Sequence, residues 1–147
     1  MILGSLDGIE TGVRQLARKQ PLETMRMECE GQALTVPTLA EILRIKGILI
    51  LRRNATRDYL DFVALADAMQ DEAVAAALQN FDELYPLPNG QSALQQLQIQ
   101  LAKPLPYDLE ETRLDEYKNL VPKWHDWSNV ESVAARIAAL ILDHLNP

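Results

Sequence analysis

The feature that most constrains the fold is a series of helical patterns, each with start or stop signals, from Thr38 almost to the C-terminus. Thr38 and Glu41 have the spacing of a capping box directly before an apolar run. Ser128 and Glu131 form a second capping box before the last apolar segment. Stretches such as PLPNG and KPLPYD interrupt the helical periodicity. This pattern predicts helices over residues 38–52, 56–69, 71–80, 91–102, 109–118 and 128–145.

The N-terminal part of the sequence has a different pattern. Apolar residues over 6–19 recur on one helical face, which predicts a short helix that ends before Pro21. Met25, Met27 and Cys29 then alternate with polar residues ahead of a Gly-containing turn. This alternation predicts a hairpin with one buried face.

Together these patterns predict an α+β fold that is mostly α. A small N-terminal β-element would be followed by a helical bundle of about five to six helices. With 147 residues, of which 48% are hydrophobic and 24% charged, the sequence has the length and composition of one globular domain. We therefore expect a single domain over 1–147, with the β-element at 1–37 and the helical bundle at 38–147.

Charge and cysteine content indicate the environment of the chain. A net charge of −7 disfavours a general attraction to nucleic acid. The single cysteine, Cys29, excludes an intramolecular disulfide and is typical of a reducing cytoplasm. The apolar run IKGILIL is too short to cross a bilayer, and no signal-peptide pattern opens the sequence. We therefore expect a cytoplasmic protein without membrane contact.

Lys46 occupies the middle of the most apolar face of the predicted helix 38–52. That face comprises Leu39, Ile42, Leu43, Lys46, Leu49 and Ile50. An unpaired ammonium group is unfavourable in an apolar environment. Two interpretations are therefore open. The lysine stem lies on the core while its amine reaches water, or the amine faces a phosphate or carboxylate within a site.

Five further charged residues surround the turn after this helix. They are the arginines Arg52, Arg53 and Arg57 and the aspartates Asp58 and Asp61. Each has a structural explanation by itself, because acidic residues favour the first helical turn and residues four apart on a helix form ordinary ion pairs. Their convergence with Lys46 on one helix–turn–helix nevertheless favours a phosphate or nucleotide pocket.

The stretch VPTLAEILRIKGILILRRNATRDYLDFVALADAM, residues 36–69, resembles the C-terminal segment of AbiEii-type nucleotidyltransferases. These include toxins of abortive-infection and toxin–antitoxin systems. The motif YKNLVPKWHDW extends the resemblance more weakly to most of the chain.

The resemblance implies roles for individual residues. It implies Lys46, Asp58 and Asp61 as catalytic residues. Lys46 would contact nucleotide phosphates, and Asp58 or Asp61 would be the functional acidic residue of the motif in residues 36–69. Arg53 and Arg57 would support the phosphate pocket. The resemblance also implies Mg²⁺ and a nucleoside triphosphate as cofactors of a complete enzyme, although this chain by itself would bind neither.

The metal-binding carboxylates of that family are missing from the sequence. In the family, a Gly-Ser pair and an aspartate pair come first, whereas Gly4-Ser5 here is followed only by Asp7 and Glu10 before the predicted hairpin, and no Asp-x-Asp occurs. Phosphoryl transfer of this type requires carboxylates that hold divalent metals. We therefore expect an incomplete or degenerate nucleotidyltransferase-like protein that is inactive alone. The alternative is a helical protein-interaction module that binds an antitoxin or a missing N-terminal half.

Two further expectations concern partners. Unpaired strand edges and an apolar face in the N-terminal β-element predict a homodimer through that element. Trp124 and Trp127, on either side of His125, either close the helical bundle or stack on a nucleic-acid base, and closure is the commoner arrangement. The resemblance leaves tRNA open as an acceptor, but the net charge does not support it.

Overall fold

The computed structural model describes residues 2–13, 18, 20–117 and 120–145. These residues form two antiparallel hairpins followed by six α-helices, which confirms the predicted α+β, mostly α class. The strands are β1 (Ile2–Leu6), β2 (Ile9–Val13), β3 (Thr24–Cys29) and β4 (Gln32–Pro37). The helices are α1 (Leu39–Arg53), α2 (Thr56–Ala68), α3 (Asp71–Leu78), α4 (Phe81–Leu84), α5 (Ala93–Ala102) and α6 (Trp127–Leu145). Short 3-10 helices span Leu114–Glu116 and Pro122–His125.

Both hairpins are built on two-residue turns. Asp7 and Gly8, with φ of 51° and 80°, connect β1 to β2, and Glu30 and Gly31, with φ of 50° and 76°, connect β3 to β4. Positive φ at both central residues is the property of a type I′ turn, whose twist matches that of the flanking strands. The two hairpins form separate two-stranded sheets.

The predicted helix over 6–19 is wrong where the structure describes it. Strands β1 and β2 occupy 2–13 instead, paired from Ile2↔Val13 to Leu6↔Ile9. The physical reason is the Asp-Gly pair, a strong hairpin signal that lies inside a stretch whose apolar spacing also fits a helix. Residues 14–17 and 19 of the predicted helix lie outside the described residues.

The second hairpin was predicted correctly in position but not in burial. β3 pairs with β4 from Thr24↔Pro37 to Cys29↔Gln32. Every residue of β3 is exposed, so the alternating Met25, Met27 and Cys29 do not form a buried face. The reason is that the core lies among the helices and does not extend over this sheet.

Five of the six predicted helices are present within about two residues of their predicted ends. The helix predicted over 109–118 is wrong, because the described part of that stretch forms turns and the 3-10 helix Leu114–Glu116. Only Leu114 of this 3-10 helix is buried, so a continuous apolar stripe is lacking there. The short helix α4 was not predicted separately.

The core forms where α1 packs against α2, α3 and α5, and where α6 packs against α5 and α2. Its largest fully buried side chains include Tyr59, Phe62 and Phe81. Gly47 allows close contact of α1 with α4 and α5, because a Cβ atom there would lie 3.0 Å from Leu97 Cδ2 and 3.2 Å from Phe81 Cε2.

The two tryptophans close the bundle, as predicted. Trp124 is a buried member of the core, and Trp127 packs edge-on against Tyr59 with ring centroids 6.3 Å apart. No helix in the described ranges is long and apolar enough to span a membrane.

Candidate functional site

The first candidate site is the helix hairpin formed by α1 and α2. Asn54 ends α1 in the left-handed conformation, with φ of 50°. Its side chain accepts a hydrogen bond from the Tyr59 hydroxyl at 2.7 Å and donates one to the Leu105 carbonyl oxygen at 2.9 Å. These bonds fix the turn that brings the charged residues of the two helices together.

A distant residue caps the second helix of this hairpin. Thr56 is the first residue of α2, and Ala55 at the cap position forms no side-chain hydrogen bond. Asp108 Oδ1 accepts hydrogen bonds of 2.7 Å from both the backbone N–H and the hydroxyl of Thr56. A carboxylate at a helix N-terminus also interacts favourably with the helix dipole.

The structure confirms the predicted convergence of Lys46 with a carboxylate. Lys46 Nζ lies 2.6 Å from Asp61 Oδ2, and Arg57 Nε lies 3.8 Å from the same oxygen. The side chains of Lys46 and Asp61 are 25% and 38% exposed. Lys46 therefore lies at the border of the core, and its amine is already paired.

Asp58 lies next to this pair but is buried. Its Oδ2 lies 3.8 Å from Arg53 Nη1 and has no hydrogen-bond partner in the part of the chain that the structure describes. Burial raises the pKa of the Asp58 carboxyl, while the positive charges of Arg53 and Lys46 act in the opposite direction.

These donors do not fit a magnesium ion. Mg²⁺ requires several oxygen ligands in octahedral geometry, whereas Asp61 is paired with Lys46 and Asp58 faces Arg53. No group of three or more His, Cys, Asp or Glu residues within the described ranges is arranged to hold a metal ion. The cluster is an ion-pair network between two helices. The catalytic roles of Lys46, Asp58 and Asp61 and the phosphate-binding roles of Lys46, Arg53 and Arg57 stay predictions. The same holds for the expectation that Mg²⁺ and a nucleoside triphosphate belong to a complete enzyme and are not bound by this chain alone.

Sequence reasoning missed a second charged cluster, centred on Glu41. The Thr38 hydroxyl caps α1 as predicted, because it accepts a hydrogen bond from the Glu41 backbone N–H at 3.1 Å. The Glu41 carboxylate, however, is completely buried and faces two arginines. It lies 2.6 Å from Arg18 Nη1 and 3.0 Å from Arg44 Nη2. The backbone N–H of Glu23 also donates to it at 3.2 Å.

The arginines of this cluster connect distant elements. Arg44 Nη2 lies 2.5 Å from Glu23 Oε2, and Arg44 Nη1 donates to the Ala77 carbonyl oxygen at the end of α3. The hydrogen bond from Arg44 lowers the pKa of the Glu23 carboxyl. Arg18 donates to the Tyr85 hydroxyl at 3.3 Å and lies over the Tyr85 ring. The Glu41 cluster therefore joins the segment before β3 to α1, α3 and the end of α4.

An open cavity of about 380 Å³ borders this cluster. Its lining includes Arg18, Glu23, Glu41 and Arg44. The two carboxylates neutralise the two guanidinium groups, so the cavity offers no excess charge to a ligand. The one sequence signal for this cluster is the spacing of Glu41 and Arg44, three residues apart on a helix. Nothing in the local pattern indicates the distant partners Arg18 and Glu23.

Comparison with known proteins finds relatives that differ from the family the sequence motif suggested. The mycolic acid-containing lipids exporter MmpL11 of Mycolicibacterium smegmatis is 31% identical over 137 residues, which is 91% of this chain and 14% of that protein. The probable transport protein MmpL11 of Mycobacterium leprae is 33% identical over 129 residues, 86% of this chain and 12% of that protein. The heme uptake protein MmpL11 of Mycobacterium tuberculosis is 43% identical over 95 residues, 63% of this chain and 10% of that protein.

No protein-family model and no solved structure matches the chain. The chain spans only 10% to 14% of the length of these curated relatives.

These similarities overturn the resemblance to AbiEii-type nucleotidyltransferases. The prediction of an incomplete nucleotidyltransferase is wrong, because the curated relatives are transport proteins. The alternative, a helical protein-interaction module that binds an antitoxin or a missing N-terminal half, gains no support from these relatives either. Over 91% of its length, the chain is similar to a segment of an MmpL11 transport protein.

Proposed function

We propose that this chain acts in transport, as a folded helical unit of an MmpL11-type system. The observation that carries the proposal is the 31% identity with the M. smegmatis exporter over 137 residues. A similarity of that length necessarily includes α1 to α5, and with them the charged helix hairpin and most of the Glu41 cluster. The proposal therefore concerns the whole folded unit.

The geometry supports a structural role for both charged clusters within such a unit. Lys46 is paired with Asp61, and Glu41 is paired with Arg18 and Arg44. Charges that neutralise one another fix the relative positions of helices, and they leave little free charge for a substrate. We propose that the clusters hold the shape of the unit while other surfaces serve transport.

The names of the relatives suggest the class of cargo. The M. tuberculosis protein is named for heme uptake and the M. smegmatis protein for export of mycolic acid-containing lipids. Both names describe a large cargo with an extensive apolar part. We propose that the chain contributes to the movement of a largely apolar cargo of this kind.

Replacement of the matching segment in M. smegmatis MmpL11 tests this proposal. In cells that lack MmpL11, three versions are compared: the native protein, one carrying this chain in place of the segment, and one carrying a Gly/Ser linker of equal length. At equal amounts in the membrane, we expect lipid export from the first two and its loss with the linker. Normal export with the linker, or none with this chain, would overturn the proposal.

We also propose that the chain lies in the cytoplasm. The support is Cys29, the only cysteine in the sequence, which is exposed and unpaired in β3. A membrane-impermeant maleimide should label Cys29 only after lysis of cells that carry this chain within MmpL11. Labelling of Cys29 in intact cells would place the chain on the other side of the membrane.

A further inference from the structure

No strand among the described residues pairs with the outer edge of β3, and the hairpin β3–β4 has an exposed apolar face. Met25 and Met27 on β3 are 49% and 45% exposed, and Leu34 on β4 is 51% exposed. A two-stranded hairpin is marginally stable alone, and an unpaired edge is a template for another strand. The question is which strand would fit it.

The pairing of β3 with β4 determines which backbone groups point outward. In a hairpin with a two-residue turn, the residues next to the turn, Cys29 and Gln32, exchange hydrogen bonds, and such pairs alternate along the strands. The backbone groups of Met25, Met27 and Cys29 therefore face β4. Those of the alternate residues, Arg26 and Glu28 among them, face the open edge.

We infer that β3 pairs with β3 of a second copy of this chain, antiparallel, about a two-fold axis through Met27. In this register Arg26 lies opposite Glu28 of the second copy, and Glu28 lies opposite Arg26. Both pairs exchange backbone hydrogen bonds across the open edges and place opposite charges side by side. Met27 lies opposite its own copy, so the apolar faces of the two hairpins become continuous.

Neighbouring registers are unfavourable. An axis through Arg26 places two arginines opposite each other, and an axis through Glu28 does the same with two glutamates. An axis between two residues brings outward-facing backbone groups opposite inward-facing ones, so hydrogen bonds do not form. Charge and hydrogen-bond alternation thus favour the register centred on Met27 over these neighbours, because it alone among them places Arg26 opposite Glu28.

The other hairpin edges in the described residues lack this complementarity. The outer edge of β4 includes Pro37, which has no N–H to donate, and it carries no charged side chain. β2 contains Glu10 but no cationic residue, and β1 contains no charged residue. On β3, by contrast, Arg26 and Glu28 form no ion pair with any other described residue.

Charge reversal tests this dimer directly. By sedimentation equilibrium at tens of micromolar, we expect a dimer for the native chain. Arg26→Glu and Glu28→Arg should each weaken the dimer by about tenfold or more, because like charges come to lie opposite each other twice. The double variant should restore association. Lys103→Glu, an exposed lysine after α5 with the same charge change as Arg26→Glu, should leave the dimer intact.

Three results of this experiment would overturn the inference: a monomeric native chain, a dimer insensitive to Arg26→Glu, or a double variant as weak as the single ones. The outcome does not depend on the proposed role in transport, because association is measured on the purified chain.

Disulfide formation tests the register. With Cys29→Ser as background, Met27→Cys places two thiols at a directly opposed, non-hydrogen-bonded position, where Cα atoms lie about 4.5 Å apart. We expect rapid oxidation to a covalent dimer. Arg26→Cys in the same background places each thiol opposite Glu28 and should cross-link poorly. Equal cross-linking of the two variants, or none for Met27→Cys, would contradict the register.

Discussion

Glu41 carries a carboxylate at a position without solvent exposure, and two arginines neutralise it. A buried ion pair contributes little net stability, since both charges lose their hydration. Removal of one partner is strongly destabilising, because the remaining charge stays buried without compensation. Arg44 depends on this arrangement in particular, since its Nε is already buried and has no hydrogen-bond partner among the described residues.

We therefore expect Glu41→Gln to lower the free energy of unfolding by roughly 3 kcal/mol, because it leaves the buried Arg18 side chain facing a neutral amide and Arg44 with Glu23 as its remaining carboxylate. Urea denaturation followed by circular dichroism measures the change. Glu72→Gln, an exposed glutamate on α3, is the matched control and should change the unfolding free energy by no more than about 0.5 kcal/mol. Equal midpoints for the two variants would show that the Glu41 cluster does not stabilise the fold.

Asp58 provides a pH-dependent prediction. Burial raises the pKa of the Asp58 carboxyl in the folded state above the unfolded value of 3.8. The protonated carboxyl therefore contributes fully to the free energy of unfolding below the unfolded pKa. This contribution is lost as pH rises through the folded-state pKa. Asp58→Asn removes this titration. We expect the unfolding free energy of the variant, relative to the native chain, to increase as pH rises from below 3.8 toward neutrality.

Urea titrations of both proteins across that pH range measure the difference. A difference that stays constant with pH, or that falls as pH rises, would contradict the raised pKa.

At the scale of elements, local sequence signals predicted where most helices begin and end, but they did not predict which helix faces pack into the core. Thr38 caps the start of α1 as expected, because a cap depends on neighbouring backbone groups. The apolar spacing predicted a buried face of α1 centred on Lys46, which is wrong. The reason is that the helix has apolar residues on several sides, so their spacing does not define a single face. The face that packs inward includes Leu43, Gly47 and Ile50, and Lys46 lies at its border.

Gly47→Ala tests this packing. Alanine favours a helix over glycine by about 1 kcal/mol, whereas overpacking of a core costs about 1–3 kcal/mol. The new Cβ would lie 3.0 Å from Leu97 and 3.2 Å from Phe81, so we expect overpacking to dominate and the unfolding free energy to fall by about 1 kcal/mol. Leu97→Val in the same chain should reduce the penalty of Gly47→Ala, as a double-mutant cycle would show. A more stable Gly47→Ala variant would mean that the contact with α5 is loose.

At the scale of the whole molecule, the fold class followed from the sequence but the function did not. The motif around Lys46, Arg57 and Asp61 suggested a nucleotide pocket, yet in the structure these residues pair with one another across a helix hairpin. Stabilising ion pairs and phosphate sites use the same residue types at the same helical spacing, so spacing alone does not distinguish them. The Glu41 cluster was missed for another reason, because its partners come from distant parts of the chain.

Lipid export by M. smegmatis MmpL11 that carries this chain in place of its matching segment is the most direct measurement of the central claim. Export is normalised to the amount of protein in the membrane and compared with the native exporter and with the linker version. We expect export close to that of the native protein and clearly above that of the linker version. Export at or below the linker level, with the chimeric protein present in the membrane in normal amount, would contradict a role for this chain in transport.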